Sequence, residues 1–170
     1  MKKNIHFAGG CFWGTEHFFK QLTGVTFTET GYANGNTPSP TYQEVYTDTT
    51  GHAETVHVEY DPEVISLGFL VRMFFKAIDP TLLNRQGNDI GTRYRTGIYY
   101  SDQNDLPTIM DICREVALEY DKPLAVEVEP LKCFYPAEDY HQDYLENNPD
   151  GYCHLPLALF EYARQARPKK

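Results

Sequence analysis

The sequence predicts an α+β fold, a two-layer sandwich of sheet and helices. Two observations carry this. Short segments of alternating polarity, which suit strands, are interspersed with longer amphipathic segments, which suit helices. Their order is roughly β-α-β-β-α-β, then α-β and extensions. Hairpins mixed with helical crossovers favour a mostly antiparallel or mixed sheet with helices packed on it. The expected core is therefore a ferredoxin-like mixed sheet with extra helices and loops. No repeat, low-complexity stretch or linker divides the 170 residues, which suit one domain spanning 1–170.

Each element has its own signal. Residues 4–8 form a short strand running into the Gly9-Gly10 turn. Residues 15–22 have helical apolar spacing in Phe18, Phe19 and Leu22, and Gly24 ends them. Residues 25–32 alternate Val25, Phe27 and Glu29 against threonines. Residues 33–41 hold an Asn-Gly pair and two prolines and make a loop. Residues 55–60 place Val56, Val58 and Tyr60 on one face. Residues 66–78 carry Leu67, Leu70, Val71, Phe74, Phe75 and Ile78 at helical spacing, with Ser66 as N-cap. Residues 79–95 are long, polar and irregular, which in a compact domain points to function. Residues 96–100 and 124–131 suit strands. Residues 101–120 suit a helix with Pro107 near its first turn, and 137–146 a short helix. Asn147-Asn148-Pro149-Asp150-Gly151 is a turn, and the tail from Phe160 adds a helical turn before fading into Arg167-Pro168-Lys169-Lys170.

Composition excludes some functions. Hydrophobic residues make up 41% and charged residues 23%, as in ordinary globular proteins. The net charge of −9 opposes nucleic-acid binding, which needs clustered Lys and Arg. No segment approaches the roughly 20 apolar residues of a spanning helix, so no membrane association is expected. No long apolar core follows Met1-Lys2-Lys3, so a cytoplasmic location is expected. In that compartment the four cysteines read as reduced thiols, ligands or redox groups rather than staples.

The most informative stretch is Gly9-Gly10-Cys11-Phe12-Trp13-Gly14-Thr15-Glu16. A glycine turn leads to a helix whose first turn carries a thiol. Free backbone N–H groups and the helix dipole there favour a thiolate nucleophile. Phe12 and Trp13 can wall an apolar pocket. Four more stretches are too specific for plain loops. They are Thr37-Pro38-Ser39-Pro40-Thr41-Tyr42, Gly51-His52-Ala53-Glu54, Gln86-Gly87-Asn88-Asp89-Ile90-Gly91-Thr92-Arg93-Tyr94-Arg95, and Asn148-Pro149-Asp150-Gly151-Tyr152-Cys153-His154.

These five segments, in this order, resemble the methionine sulfoxide reductase A family, from about Phe7 to His154. The stretch Pro136-Ala137-Glu138-Asp139-Tyr140-His141-Gln142 belongs to the same resemblance. It implies reduction of methionine S-sulfoxide, free or in proteins, with no cofactor and no metal. It implies Cys11 as the thiolate that attacks the sulfoxide sulfur, and Glu54 as the acid, its pKa raised by burial. Tyr42 and Tyr94 match the tyrosines that bind the sulfoxide oxygen. Phe12 and Trp13 match the S-methyl pocket, and Asp89 a supporting residue. Cys153, in a C-terminal segment from about 147, matches the resolving thiol that turns the sulfenic acid into a disulfide. Thioredoxin is the implied electron donor.

Other residues have other readings. Cys113 lies in the apolar run of a helix and reads as core. Cys133 competes with Cys153 as resolver. Cys133, His141, Cys153 and His154 lack the paired spacing of a zinc site. His52, His57 and His141 read as strand or helix residues with local hydrogen bonds. Two alternatives remain open on the residues: an acidic redox-sensing module using a Cys11–Cys153 disulfide, and a cysteine hydrolase with a histidine base.

Overall fold

The computed structural model describes residues 1–167; residues 168–170, the end of the expected fading tail, lie outside the described residues. The elements in chain order are β1 (Lys3–Gly9), α1 (Phe12–Lys20), β2 (Val25–Ala33), α2 (Tyr42–Tyr46), β3 (Ala53–Tyr60), α3 (Leu67–Ala77), β4 (Arg85–Gln86), β5 (Asp89–Ile90), β6 (Thr96–Tyr100), α4 (Leu106–Ala117), β7 (Glu127–Pro130), β8 (Phe134–Pro136), α5 (Tyr144–Asn147) and α6 (Leu157–Gln165). Six strands form one sheet in the order β7-β6-β1-β3-β2-β8, and β4 pairs with β5 apart from it. The β6–β7 pair is parallel and the other pairs are antiparallel. The fold is α+β with a mixed sheet.

Alternation along β1 sends Ile5 and Phe7 to one face and His6 and Ala8 to the other. The Phe7 ring stacks on Phe19 of α1 at 4.6 Å and on Phe74 of α3 at 4.9 Å. Those two helices therefore cover one face of the sheet. Val56, Val58 and Tyr60 of β3 are buried in the same core, as their alternation predicts. A smaller cluster of Ala8, Ala33, Ala53 and Tyr99 is closed by Leu131 and Phe134.

The helix α3 follows its sequence signal closely. Ser66 is its N-cap and its hydroxyl accepts the Phe69 N–H at 3.1 Å. Ser66→Ala removes that acceptor and should cost about 1 kcal/mol, read as a lower urea midpoint with an unchanged slope.

Several expectations need correction. The helix α1 starts at Phe12, three residues earlier than its apolar spacing suggests. In β2 the register shifts between Val25 and Phe27, so Thr30 and Tyr32 are buried while Phe27 is exposed. Directly after the loop expected over 33–41 comes α2, for which no element was expected, held by a reciprocal Thr41–Glu44 capping box. The predicted helix over 101–120 is shorter, preceded by a 3-10 turn at Gln103–Asp105. The strand expected over 124–131 shrinks to β7, and β8 is additional. The helix expected over 137–146 is broken into a 3-10 turn at Asp139–His141 and the short α5. Asp143 interrupts it with a left-handed φ of 52°. The C-terminal helix begins at Leu157, ahead of Phe160.

Sheet topology places the site. The strands β1 and β2 both run antiparallel to β3, so their C-terminal ends lie where β3 begins. Glu54 pairs with Tyr32 there, two residues before Val56, the partner of Phe7. The chain leaving β1 for Cys11 thus passes the start of β3.

Candidate active site

Cys11 is the N-cap of α1 and is buried. The preceding Gly10 has φ of +88°, and a Cβ there would lie 2.8 Å from the Gln86 Cβ. Only glycine fits that turn without displacing the β4–β5 hairpin. Gln86 in turn bonds the Asp79 N–H and carbonyl at 2.9 and 2.8 Å, which fixes the hairpin against the turn.

Glu54 is 1% exposed. Its Oε1 accepts the Phe12 N–H at 3.2 Å, and its Oε2 is buried with no partner. Burial raises its pKa to about 8, against the opposing Phe12 N–H and Arg93 charge. The carboxyl is therefore mostly protonated at neutral pH and can donate a hydrogen bond.

The Cys11 thiol departs from the sequence expectation. The N–H groups of Trp13 and Gly14 do favour its thiolate. Burial and the nearby Glu54 carboxylate outweigh them and push the thiol well above its ordinary range. Protonation of Glu54 removes the second of these penalties, so the thiolate and the neutral acid favour each other.

Tyr42 begins α2, and its N–H donates to Glu138 Oε2 at 3.0 Å. Tyr94 closes a 3-10 turn beneath the Arg93 guanidinium, which lies 4.3 Å from the centroids of both Tyr46 and Tyr94. Asp48 pairs with Arg93 at 2.5 Å and accepts its backbone N–H at 3.0 Å. The hydroxyls of Tyr42 and Tyr94 both feel the Glu54 charge, and burial raises both pKa values, so both remain donors. Asp89 lies in β5 with Oδ2 buried and unpartnered, and its charge acts on Cys11, Glu54, Cys153 and His154. Burial and the nearby Asp89 charge raise the pKa of the Tyr152 hydroxyl.

Phe12 is fully buried, its ring centroid 5.7 Å from Tyr32 and 5.2 Å from His141. Trp13 is half-buried. Its indole N–H donates to His141 Nδ1 at 2.9 Å, and its face stacks on Tyr144 at 3.8 Å. As the acceptor in that bond, His141 carries its own proton on Nε2. His141 and Tyr144 thus fix the indole, a role that local sequence reading of His141 misses. Its signal was the Tyr140-His141-Gln142 stretch.

All four cysteines are free thiols. Cys153 is half-buried and packs over α1, where a Cβ on Gly14 would lie 3.1 Å from its sulfur and 3.0 Å from His154 Nδ1. His154 Nε2 bonds the Gly9 carbonyl at 3.1 Å, so the segment after the Pro149 turn rests on the Cys11 turn. An open groove lined by His17, Leu157 and Phe160 exposes Cys153. Cys133 sits elsewhere, its N–H on Asn34 Oδ1 and its sulfur 3.9 Å from the Gly35 carbonyl. Cys113 is buried in the core of α4. Among the described residues, no group of three or more His, Cys, Asp or Glu could hold a metal ion. No helix there is long and apolar enough to cross a membrane.

A buried thiol beside a protonated carboxyl, with a second thiol packed over the same helix, brings together the groups that a thiol-based redox enzyme needs. Residues 3–170 match the family model described as peptide methionine sulfoxide reductase. The chain is 51% identical over 166 residues to peptide methionine sulfoxide reductase MsrA of Lachnoclostridium phytofermentans, covering 98% of this chain and 100% of that protein. Reduced Mxr1 from Saccharomyces cerevisiae superposes with a TM-score of 0.86 at 40% identity, covering 92% of each chain. Mxr1 in complex with Trx2 matches with a TM-score of 0.61 at 30% identity over 84% of each chain. The chain belongs to the peptide methionine sulfoxide reductase family.

Proposed function

We propose that the chain reduces methionine S-sulfoxide, free or in proteins, with Cys11 as nucleophile and Glu54 as acid. The observation that carries this is Glu54: a buried, protonated carboxyl with one free oxygen, hydrogen-bonded to the residue next to Cys11. The Cys11 thiolate attacks the sulfoxide sulfur while Glu54 protonates the departing oxygen. Tyr42 and Tyr94 hydrogen-bond that oxygen as charge builds on it, each such donor being worth about 10²–10³ in rate. The protonated oxygen leaves the substrate sulfur and bonds to the Cys11 sulfur as the transient sulfur–sulfur bond breaks, so the products are methionine and a Cys11 sulfenic acid. The substrate sulfur is reduced by two electrons and Cys11 is oxidised by two. Phe12 and Trp13 bound the methyl pocket that selects the S epimer, and Asp89 supports the site.

The Cys153 thiol then condenses with the sulfenic acid, releasing water and leaving a Cys11–Cys153 disulfide. Cys153 is preferred to Cys133 because it packs on Gly14, in the turn that Cys11 caps. Thioredoxin reduces the disulfide by thiol exchange, and the groove beside α1 gives access to Cys153. Residues 1–170 act as one catalytic domain, with the segment from about 147 carrying the resolver. The β6-β1-β3-β2 strand order supports a ferredoxin-like plait. The working compartment is the cytoplasm, where thiols are kept reduced. The hydrolase alternative lacks support, because among the described residues no hydrogen bond joins a histidine to the Cys11 thiol; the rings of His141, His52, His57 and His154 bond Trp13, Thr37, Asn4 and Gly9 instead.

Mass spectrometry of the reduced protein after one equivalent of each epimer tests this reading. The S epimer should yield methionine and a Cys11–Cys153 disulfide, and the R epimer nothing. A Cys11–Cys133 disulfide would reassign the resolver. Four free thiols with both epimers would sink the reductase chemistry.

A further inference from the structure

Glu16 is a buried carboxyl that the chemistry above does not use. It lies one turn beyond Trp13 on α1 and is 1% exposed. Its Oε2 accepts the Thr28 hydroxyl at 2.9 Å, and its Oε1 accepts the Asp143 N–H at 2.8 Å. A carboxyl inside a protein is expensive unless its oxygens find donors, and here both do. Asp143 adopts a left-handed φ of 52°, unusual for a residue with a side chain. The Asp143 carboxylate is held by Lys20, also from α1, at 2.6 Å, and Lys20 also pairs with Glu146. This one backbone bend breaks the chain between the turn bearing His141 and the helix bearing Tyr144. Those are the two residues that hold the Trp13 indole, by its N–H and by its face.

We infer that Glu16 is a positioning residue for the substrate pocket: by holding Asp143 in its left-handed bend it sets His141 and Tyr144 against Trp13. The inference rests on the reading of Trp13 as a wall of the methyl pocket. Lys20 fastens the same bend from outside, but its partners are side chains. Glu16 holds the backbone itself. Losing that tether loosens binding rather than the attack at Cys11, because Glu16 contacts neither Cys11 nor Glu54.

Trp13 is the only tryptophan, so its emission reports on this arrangement without interference. Glu16→Met keeps the volume and removes both acceptors. It should shift the Trp13 emission and lower kcat/KM roughly 10-fold to 10²-fold. The loss should fall on KM, with kcat within about twofold, the mark of lost binding common to ground and transition states. Glu16→Gln should restore both readings, since its amide oxygen accepts from Asp143 and its NH₂ donates to Thr28. Trp13→Ala runs in parallel. Unchanged emission and KM in a folded Glu16→Met overturn the inference, as does unchanged KM there beside a raised KM in Trp13→Ala. Unchanged KM in Trp13→Ala overturns the methyl-pocket reading itself, and the inference with it. Should Glu16→Met not fold, amide exchange in the wild-type protein decides: the Asp143 N–H must be protected, and free exchange refutes the tether.

Discussion

Cys11→Ser will produce no methionine even in a single turnover, whereas Cys153→Ser will produce one equivalent and then stop. Under the proposed mechanism the two thiols have separate tasks. A serine hydroxyl at position 11 cannot take up the oxygen as sulfenic acid, and it stays protonated at any pH the fold tolerates. The residual rate should fall by on the order of 10⁴-fold or more, as when other enzymes lose their nucleophile. Cys153 enters only after methionine has formed. Without it, Cys11 is left as sulfenic acid, which a dimedone-type probe will trap. Rapid-quench assay of methionine against enzyme concentration distinguishes the two variants. One equivalent from Cys11→Ser, or steady turnover with thioredoxin in Cys153→Ser, would contradict this division of labour.

Glu54→Gln should slow the first step by about 10²–10³-fold while stabilising the protein at alkaline pH. The rate effect follows because an amide can hydrogen-bond the departing oxygen but cannot give it a proton. The wild-type rate should therefore fall as pH rises through about 8, where Glu54 ionises, and the variant should lack that limb. Stability has a definite sign. The folded-state pKa of about 8 lies above the ordinary carboxyl value of 4.5, so between these values the native state binds more protons than the unfolded one. The contribution of Glu54 to stability is then full below about 4.5 and is lost as pH rises through about 8. Glutamine has no such loss. Thermal melts should show the variant ahead of wild type by several degrees at pH 8, with the gap closing toward pH 4.5. A constant gap across that range would mean that Glu54 does not titrate there.

The sequence was most legible where local chemistry is self-sufficient. Gly10 and Cys11 announce their turn because only glycine tolerates φ of +88° beside Gln86. The helix α3 is read from its apolar spacing and Ser66 cap. Cys11, Glu54, Tyr42, Tyr94, Asp89 and Cys153 come from four separated motifs beside the first, and the fold assembles them around one helix N-terminus. What escaped reading depends on distant partners. The break at Asp143 is held by Glu16, 127 residues earlier, so 137–146 reads as one helix when viewed alone. The strand β8 is only three residues and exists by pairing with β2. The helix α2 is the reverse case: its Thr41–Glu44 capping box was in plain view, but the prolines before it masked the signal. The direction of the Cys11 pKa was also out of reach, since it depends on how deeply the thiol is buried and how near Glu54 lies.

The outermost strands of the sheet have a further consequence. Both β7 and β8 are short, and each ends on a proline, Pro130 beside Tyr100 and Pro136 beside Gly31. A proline offers no amide hydrogen, and three or four residues give little ladder to extend. Damaged, partly unfolded polypeptide is rich in extended chain that seeks a β-edge, and here it finds none worth joining. On the proposed activity, a protein substrate would then be held by its oxidised side chain rather than by its backbone.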